Sequence, residues 1–197
     1  MNLYTLALFV HVAGAIGIFG GLSAFMFGIA ALRRARCVED VRVLARLIIA
    51  SGNIAVACIV VLGIAGLYMA LTAWGIRATW IIVATISFIL LAPWGMLVID
   101  PRVRSIAKLA RETPNGALPE ELAKRTRDAV LGFSVSVYIA YLLGIVFLMT
   151  SKPATGEAVV AMFITLAGGI LVSLLFWRAP SHERTTPNDH LPVSPHA

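Results

Sequence analysis

Five long apolar stretches take up most of this 197-residue sequence. An α-helix rises about 1.5 Å per residue and the hydrocarbon core of a bilayer is about 30 Å thick, so roughly 20 apolar residues complete one crossing. Each stretch meets that length. The sequence therefore predicts an all-α membrane protein, a bundle of five transmembrane helices in contact with lipid. The predicted spans are residues 3–30, 43–72, 79–99, 129–150 and 157–177.

The basic residues are distributed unevenly among the connections between these spans. All but two of the 16 Lys and Arg residues follow the first, third or fifth span, and the exceptions are Arg77 and Lys152. Cytoplasmic loops carry the excess of Lys and Arg in membrane proteins, so we expect the N-terminus outside and the C-terminus in the cytoplasm. The net charge of +6 is thereby explained without a nucleic-acid partner. The pattern favours a multi-pass protein of the plasma (inner) membrane.

Residues 1–178 are predicted to form one transmembrane domain. The first span has no basic residue before it, which argues against a cleavable signal peptide and for retention of the span. Residues 179–197 contain four prolines and few apolar side chains. Such a segment buries too little surface to offset the entropy of ordering, so we expect a disordered cytoplasmic tail.

The largest connection, residues 100–128, is predicted to be a helical hairpin on the cytoplasmic surface. Asp100-Pro101 is predicted to end the third helix, and residues 113–116 read Thr-Pro-Asn-Gly, which is typical of a turn. The sequence Pro119-Glu120-Glu121 is typical of the first turn of a new helix.

His11 is the one ionisable side chain well inside a predicted span. With the outer boundary near Tyr4, it lies about 10 Å into the hydrocarbon, where an unpaired polar group is costly. Glycines on and beside its helical face would let another helix or a flat ligand approach closely. These are Gly14, Gly17, Gly20, Gly21 and Gly28. The residues predicted to lie level with His11 are Gly66, Thr85, Ser87, Tyr141 and Thr165, and Tyr141 or a hydroxyl would fix the imidazole tautomer.

The segment from residue 8 to residue 22, LFVHVAGAIGIFGGL, resembles the first helix of three bacterial membrane families. They are an uncharacterised integral-membrane family (domain of unknown function 2269), copper-resistance protein D, and the membrane protoporphyrinogen oxidase that uses a haem. Their shared pattern places a tryptophan seven residues after a histidine, followed after one residue by two glycines. His11, Gly20 and Gly21 match this pattern, and Ile18 stands at the tryptophan position. Residues 63–102, with GIAGLY, two tryptophans and Asp-Pro-Arg, look more loosely like the next two helices of the uncharacterised family.

The resemblance to the haem-using oxidase implies that His11 is an axial ligand of a b-type haem. Independently of that resemblance, Gly14 and Gly21 offer small surfaces beside a flat porphyrin, and Tyr141 and Met69 are the further candidate binding residues. No span holds a second histidine, so one chain would bind a five-coordinate haem, use a thioether such as Met69 or Met149, or share the site with another subunit. The oxidase family also uses a basic residue within the membrane. No span here has Lys or Arg at its middle, so oxidase activity is not expected, and whether the protein is an enzyme stays open.

Three interpretations of His11 therefore remain: a structural histidine satisfied by helix packing, a haem ligand, or a metal ligand. In the third, Met69, Met149 and Met162 would supply soft donors for Cu(I). For the whole protein, the leading hypothesis is haem binding in a redox or haem-related role. The alternative is a non-catalytic accessory or assembly subunit that packs on a membrane-protein partner or on a second copy of itself.

Two further predictions concern the inner half of the membrane. Asn53 is predicted to face the bundle and to hydrogen-bond between helices. Cys37 and Cys58 differ in depth by far more than a disulfide can bridge, so both are predicted to be free thiols.

Overall fold

The computed structural model describes residues 2–75 and 78–177, and within these ranges it contains helices and no strand. Five helical segments are long and apolar enough to cross a membrane, which confirms the predicted fold class. Residues 179–197, the predicted tail, lie outside the described residues. The helices are α1 (Leu3–Leu32), α2 (Val38–Met69), α3 (Thr79–Trp94), α4 (Asp100–Glu112), α5 (Glu120–Thr126), α6 (Ala129–Ser151) and α7 (Thr155–Trp177).

The third membrane segment does not end at Asp100-Pro101. A π-helical turn, Gly95–Ile99, joins α3 to α4, so one helical segment runs from residue 79 to residue 112. The prediction of a stop was wrong because Pro101 occupies the first turn of α4, where its missing N–H costs little. The guanidinium of Arg102 donates to the carbonyl oxygen of Val98 at 2.7 Å, which satisfies an acceptor beside the proline.

In the rest of the segment predicted to be a hairpin, α4 and α5 are separate helices joined by a turn, and α5 starts directly after Pro119. Arg42 of α2 holds this turn in place. Its Nε donates to the carbonyl oxygen of Ala110 at 2.7 Å, and its other nitrogens donate to the carbonyl oxygen of Thr113 and to Oδ1 of Asn115. A cation is thus placed against the orphan carbonyls at the end of α4.

The helices pack mainly as two antiparallel pairs, α1 with α2 and α6 with α7, while α3 and α1 both contact α6. We call the end of the bundle that carries α4 and α5 the hairpin end. Several of the best-buried side chains lie there, at the end of α1, the start of α2 and on α4 and α5. Examples, each at most 3% exposed, are Ile29, Leu32, Val38, Val41, Val103, Ile106, Ala110 and Leu122.

The opposite end, which we call the indole end, contains two short connections that meet. The rings of Trp74 and Trp80 are 5.6 Å apart in an edge-to-face arrangement. The ammonium of Lys152 lies 3.9 Å from the centroid of the Trp74 ring, and Trp74 Nε1 donates to the hydroxyl of Tyr4 at 3.3 Å. The connections that the charge pattern assigned to one side of the membrane therefore lie at one end of the bundle.

Candidate ligand site at His11

His11 lies on the face of α1 that turns toward the bundle. Ile18, Phe25 and Ile29 follow it at helical spacings of seven, seven and four residues, and they are 3%, 7% and 1% exposed. His11 itself is only half-buried, and no residue of α1 before Gly14 is buried. The same face is thus sealed at the hairpin end and open beside the imidazole.

A backbone carbonyl fixes the tautomer of the His11 side chain. Nδ1 lies 3.1 Å from the carbonyl oxygen of Leu62 in α2. A peptide carbonyl can only accept a hydrogen bond, so Nδ1 is the donor in this contact, and in the neutral ring Nε2 carries no proton. His11 makes no other side-chain hydrogen bond within the described ranges. The prediction that Tyr141 or a hydroxyl performs this role was wrong, because the α1–α2 contact brings a main-chain acceptor within reach first.

Gly66 provides the space that the ring occupies. A Cβ atom at this position would lie 3.0 Å from Cε1 and 3.1 Å from Nδ1 of His11, closer than ordinary contact. The prediction that Gly66 lies level with His11 is confirmed. A larger residue at position 66 would crowd the imidazole, which would have to shift by a few tenths of an ångström.

Gly14 and Gly21 lie in the contact between α1 and α2. A Cβ atom at Gly14 would be 3.0 Å from Cβ of Leu62, and one at Gly21 would be 2.9 Å from the carbonyl oxygen of Ser51. Both positions thus face another helix at close range. Their small size sets the distance between the two backbones, and this distance lets Nδ1 of His11 reach Leu62.

Met69 and Tyr141, the other residues predicted for the site, are each half-buried. Met69 follows Leu62 by seven residues and so lies on the same face of α2, toward the indole end. Tyr141 packs against the hydrophobic core from α6. Met149 also packs against this core, and Met162 is buried, while the described residues contain no cluster of three His, Cys, Asp or Glu side chains suited to a metal ion. Copper handling stays a prediction. Both cysteines are free thiols, as predicted.

Asn53 points away from the bundle, and the prediction that it faces inward was wrong. Ser51 and Ala55 turn toward Gly21 of α1, whereas Asn53 lies two residues from each and therefore on the opposite side of α2. Its side chain is exposed and makes no hydrogen bond to any described residue. The structure thus places an amide on the outer surface of a membrane segment.

A family model described as "Predicted integral membrane protein (DUF2269)" matches residues 5–153. The chain belongs to this family. The match covers α1 to α6, so the His11–Leu62 contact and the hairpin both lie within the DUF2269 region. No curated protein and no solved structure matches the chain. The activity of this DUF2269 protein must therefore be argued from its own residues.

Proposed function

We propose that this DUF2269 protein binds a b-type haem through Nε2 of His11, in the plasma (inner) membrane with its hairpin end in the cytoplasm. The observation that carries the proposal is the hydrogen bond from Nδ1 to the Leu62 carbonyl. A histidine that ligates a metal is neutral and typically donates its other ring N–H to a carbonyl or carboxylate, which orients the ring and raises its basicity. The contact from Nδ1 of His11 to the Leu62 carbonyl supplies the second of these features.

The open part of the α1 face supports a position for the porphyrin. The glycines close the contact between α1 and α2, so a flat ligand of His11 would lie on the bundle-facing side of α1, before the buried Ile18. Ala7 and Ala15 flank His11 one turn away on either side and are small. The role proposed for Gly14 and Gly21 is then indirect: they hold α2 close enough for Leu62 to orient the ligand.

A bound haem would supply one-electron redox chemistry or a site for a small gaseous ligand. The protein would supply one nitrogen ligand, a fixed imidazole orientation and an apolar environment. His11 would hold the group alone, or together with a thioether such as that of Met69, or together with a residue of a second copy of the chain.

The test is a visible spectrum of the protein purified from cells with ample haem. We expect a Soret band that His11→Gly abolishes and that added imidazole restores, because free imidazole can occupy the space of the missing ring. Gly66→Ala should weaken or shift the band, since the new Cβ displaces the ring. Gly63→Ala is the matched control on the same helix, because no atom lies within 4 Å of the Cβ that it adds.

The spectra distinguish a His11 that ligates haem from a His11 that only packs between helices. A colourless wild-type protein, or a band that persists in folded His11→Gly, would refute haem binding through this residue. Equal effects of Gly66→Ala and Gly63→Ala would show that the position of the His11 ring is irrelevant to the spectrum.

A second candidate function, an accessory subunit in a membrane complex, is favoured by Asn53. An exposed amide within an apolar segment gains about 0.6 kcal/mol, and up to about 1.7, from a hydrogen bond to another helix in the membrane. We expect Asn53→Leu to remove a co-purifying partner or a homo-oligomer, while Ile54→Leu, an apolar exchange at the neighbouring exposed residue, should not. Unchanged association in Asn53→Leu would count against this candidate.

A further inference from the structure

A cleft of about 340 Å³, with charged residues in its lining, lies at the hairpin end, away from His11. It is formed where α4 begins, where α5 ends and where α6 starts. The third predicted span ends just before this cleft and the fourth begins just after it. The cleft therefore lies at the depth where the apolar part of the bundle gives way to polar residues. Its lining residues are Pro101, Arg102, Ser105, Ile106, Arg125 and Asp128.

Two arginines in the cleft are held in fixed orientations. Arg102 Nε lies 3.4 Å from Oδ2 of Asp128, and the same guanidinium donates to a main-chain carbonyl. Arg125 Nε donates to Oε1 of Glu121 at 2.9 Å, while its Nη1 donates to the hydroxyl of Ser105 at 2.6 Å. A guanidinium has five N–H donors, so each arginine retains donors beyond these contacts. Side-chain exposures of 38% and 45% leave both accessible.

The surroundings of the cleft carry an excess of positive charge. Arg33, at the end of α1, stacks over the ring of Trp177 at 4.7 Å and has a buried Nη1 with no acceptor among the described residues. Burial lowers the pKa of Arg33, the nearby Arg127 lowers it further, and Asp128 opposes both. Asp128 therefore interacts with Arg102 through an ion pair and with Arg33 through space, and Arg127 adds a further positive charge near Arg33. One carboxylate does not balance three guanidinium groups.

We propose that this cleft binds a phosphate group, presented either by a lipid headgroup or by a soluble phosphate ester. The paired N–H donors of a guanidinium match the geometry of phosphate oxygens. An arginine side chain that is already held in place loses less conformational entropy on binding than a mobile one. The Ser105 hydroxyl adds a polar group between the arginines. Basic pockets at the ends of membrane helices are suited to anionic headgroups, and the depth of this cleft agrees with such a ligand.

The experiment measures binding of short-chain phosphatidylglycerol to the full-length protein in a neutral detergent by native mass spectrometry. Diacylglycerol, which lacks the phosphate, serves as the comparison lipid. We expect phosphatidylglycerol to bind and Arg125→Gln or Arg102→Gln to weaken it about tenfold, as expected for the loss of a charge-assisted hydrogen bond. Lys108→Gln removes one positive charge from the exposed side of α4, outside the cleft, and should change the affinity less than twofold.

Competition with inorganic phosphate and glycerol 3-phosphate distinguishes a lipid headgroup from a soluble phosphate ester as the ligand. Displacement of the lipid by millimolar glycerol 3-phosphate identifies the phosphate as the recognised group. Lipid binding without displacement identifies the headgroup with its membrane anchor, and binding of the soluble phosphates without binding of the lipid identifies a soluble ligand.

Two results would overturn the proposal. One is a loss of affinity in Lys108→Gln as large as that in Arg125→Gln, because the overall positive charge of the surface, and not the cleft, would then account for the binding. The other is failure of every phosphate compound to bind. Arg102→Gln also removes an ion pair to Asp128 and a hydrogen bond to Val98. The thermal stability of each variant is therefore measured together with its lipid binding. Should Arg102→Gln unfold, the proposal is tested by the lipid affinity of Arg125→Gln and of Ser105→Ala, which changes no charge.

Discussion

Gly20 and Gly21 are adjacent in sequence, and the same substitution at each should have opposite effects on stability. Alanine gains up to about 1 kcal/mol over glycine in a helix interior, at either position. At Gly20 no atom lies within 4 Å of the added Cβ, so this gain should remain. At Gly21 the Cβ would lie 2.9 Å from the carbonyl oxygen of Ser51 and 3.2 Å from Cβ of Ala55, so the two helices must separate.

Forcing a methyl group into a packed contact costs about 1–3 kcal/mol. Because the helix-propensity gain is common to both variants, the difference between them equals this packing cost, or about a 5- to 150-fold difference in the unfolding equilibrium constant. The assay is equilibrium unfolding by SDS titration in mixed micelles, followed by circular dichroism. Equal effects of Gly20→Ala and Gly21→Ala, or a greater loss in Gly20→Ala, would refute the assignment of Gly21 to the α1–α2 contact.

Three further predictions concern orientation, the hairpin and Asn53. In whole cells, with both native cysteines replaced, a membrane-impermeant maleimide should label Lys152→Cys and not Asn115→Cys, because of the charge asymmetry; the reverse pattern would overturn the proposed orientation. Arg42→Met should raise hydrogen exchange in the α4–α5 hairpin about tenfold or more, since three charge-assisted hydrogen bonds are lost, whereas Arg46→Met, whose Nε bonds only within α2, should leave it unchanged. Asn53→Leu should change the stability of the monomer by less than about 0.5 kcal/mol, as expected for an exposed side chain, and a loss above 2 kcal/mol would place it back inside the bundle.

The membrane spans were predictable because their signal is local. Length and apolarity decide whether a segment can cross a bilayer, and both can be read without knowing any contact. The start of α5 after Pro119 was predictable for a similar reason, since proline suits the beginning of a helix. Pro101 also stands in the first turn of a helix, but there a π-helical turn continues the helical segment from α3, and the proline alone does not reveal this.

The partner of His11 and the direction of Asn53 could not be predicted. A main-chain carbonyl such as that of Leu62 exists at every position and leaves no mark in the sequence. The rotation of α2 about its axis depends on which of its faces meets the glycines of α1, and an apolar segment with little amphipathicity does not reveal this. Depth along a helix could be estimated from its rise, as Gly66 shows, but orientation around the helix could not.

The two ends of α1 have different physical constraints, and this difference separates the two proposed sites. At the hairpin end, Ile29 and Leu32 are 1% exposed, and Arg42 fixes the adjacent turn, so a ligand there must bind to a surface that is already formed. At the His11 end, α1 is attached to α2 by glycine contacts and one side-chain hydrogen bond, and its bundle-facing side is not sealed. The proposed ligand of His11 would lie beside residues that are not well buried, so its binding would not have to offset the cost of opening a packed core. Because no residue is shared, loss of the His11 ligand should leave phosphate binding unchanged, and Arg125→Gln should leave the Soret band unchanged.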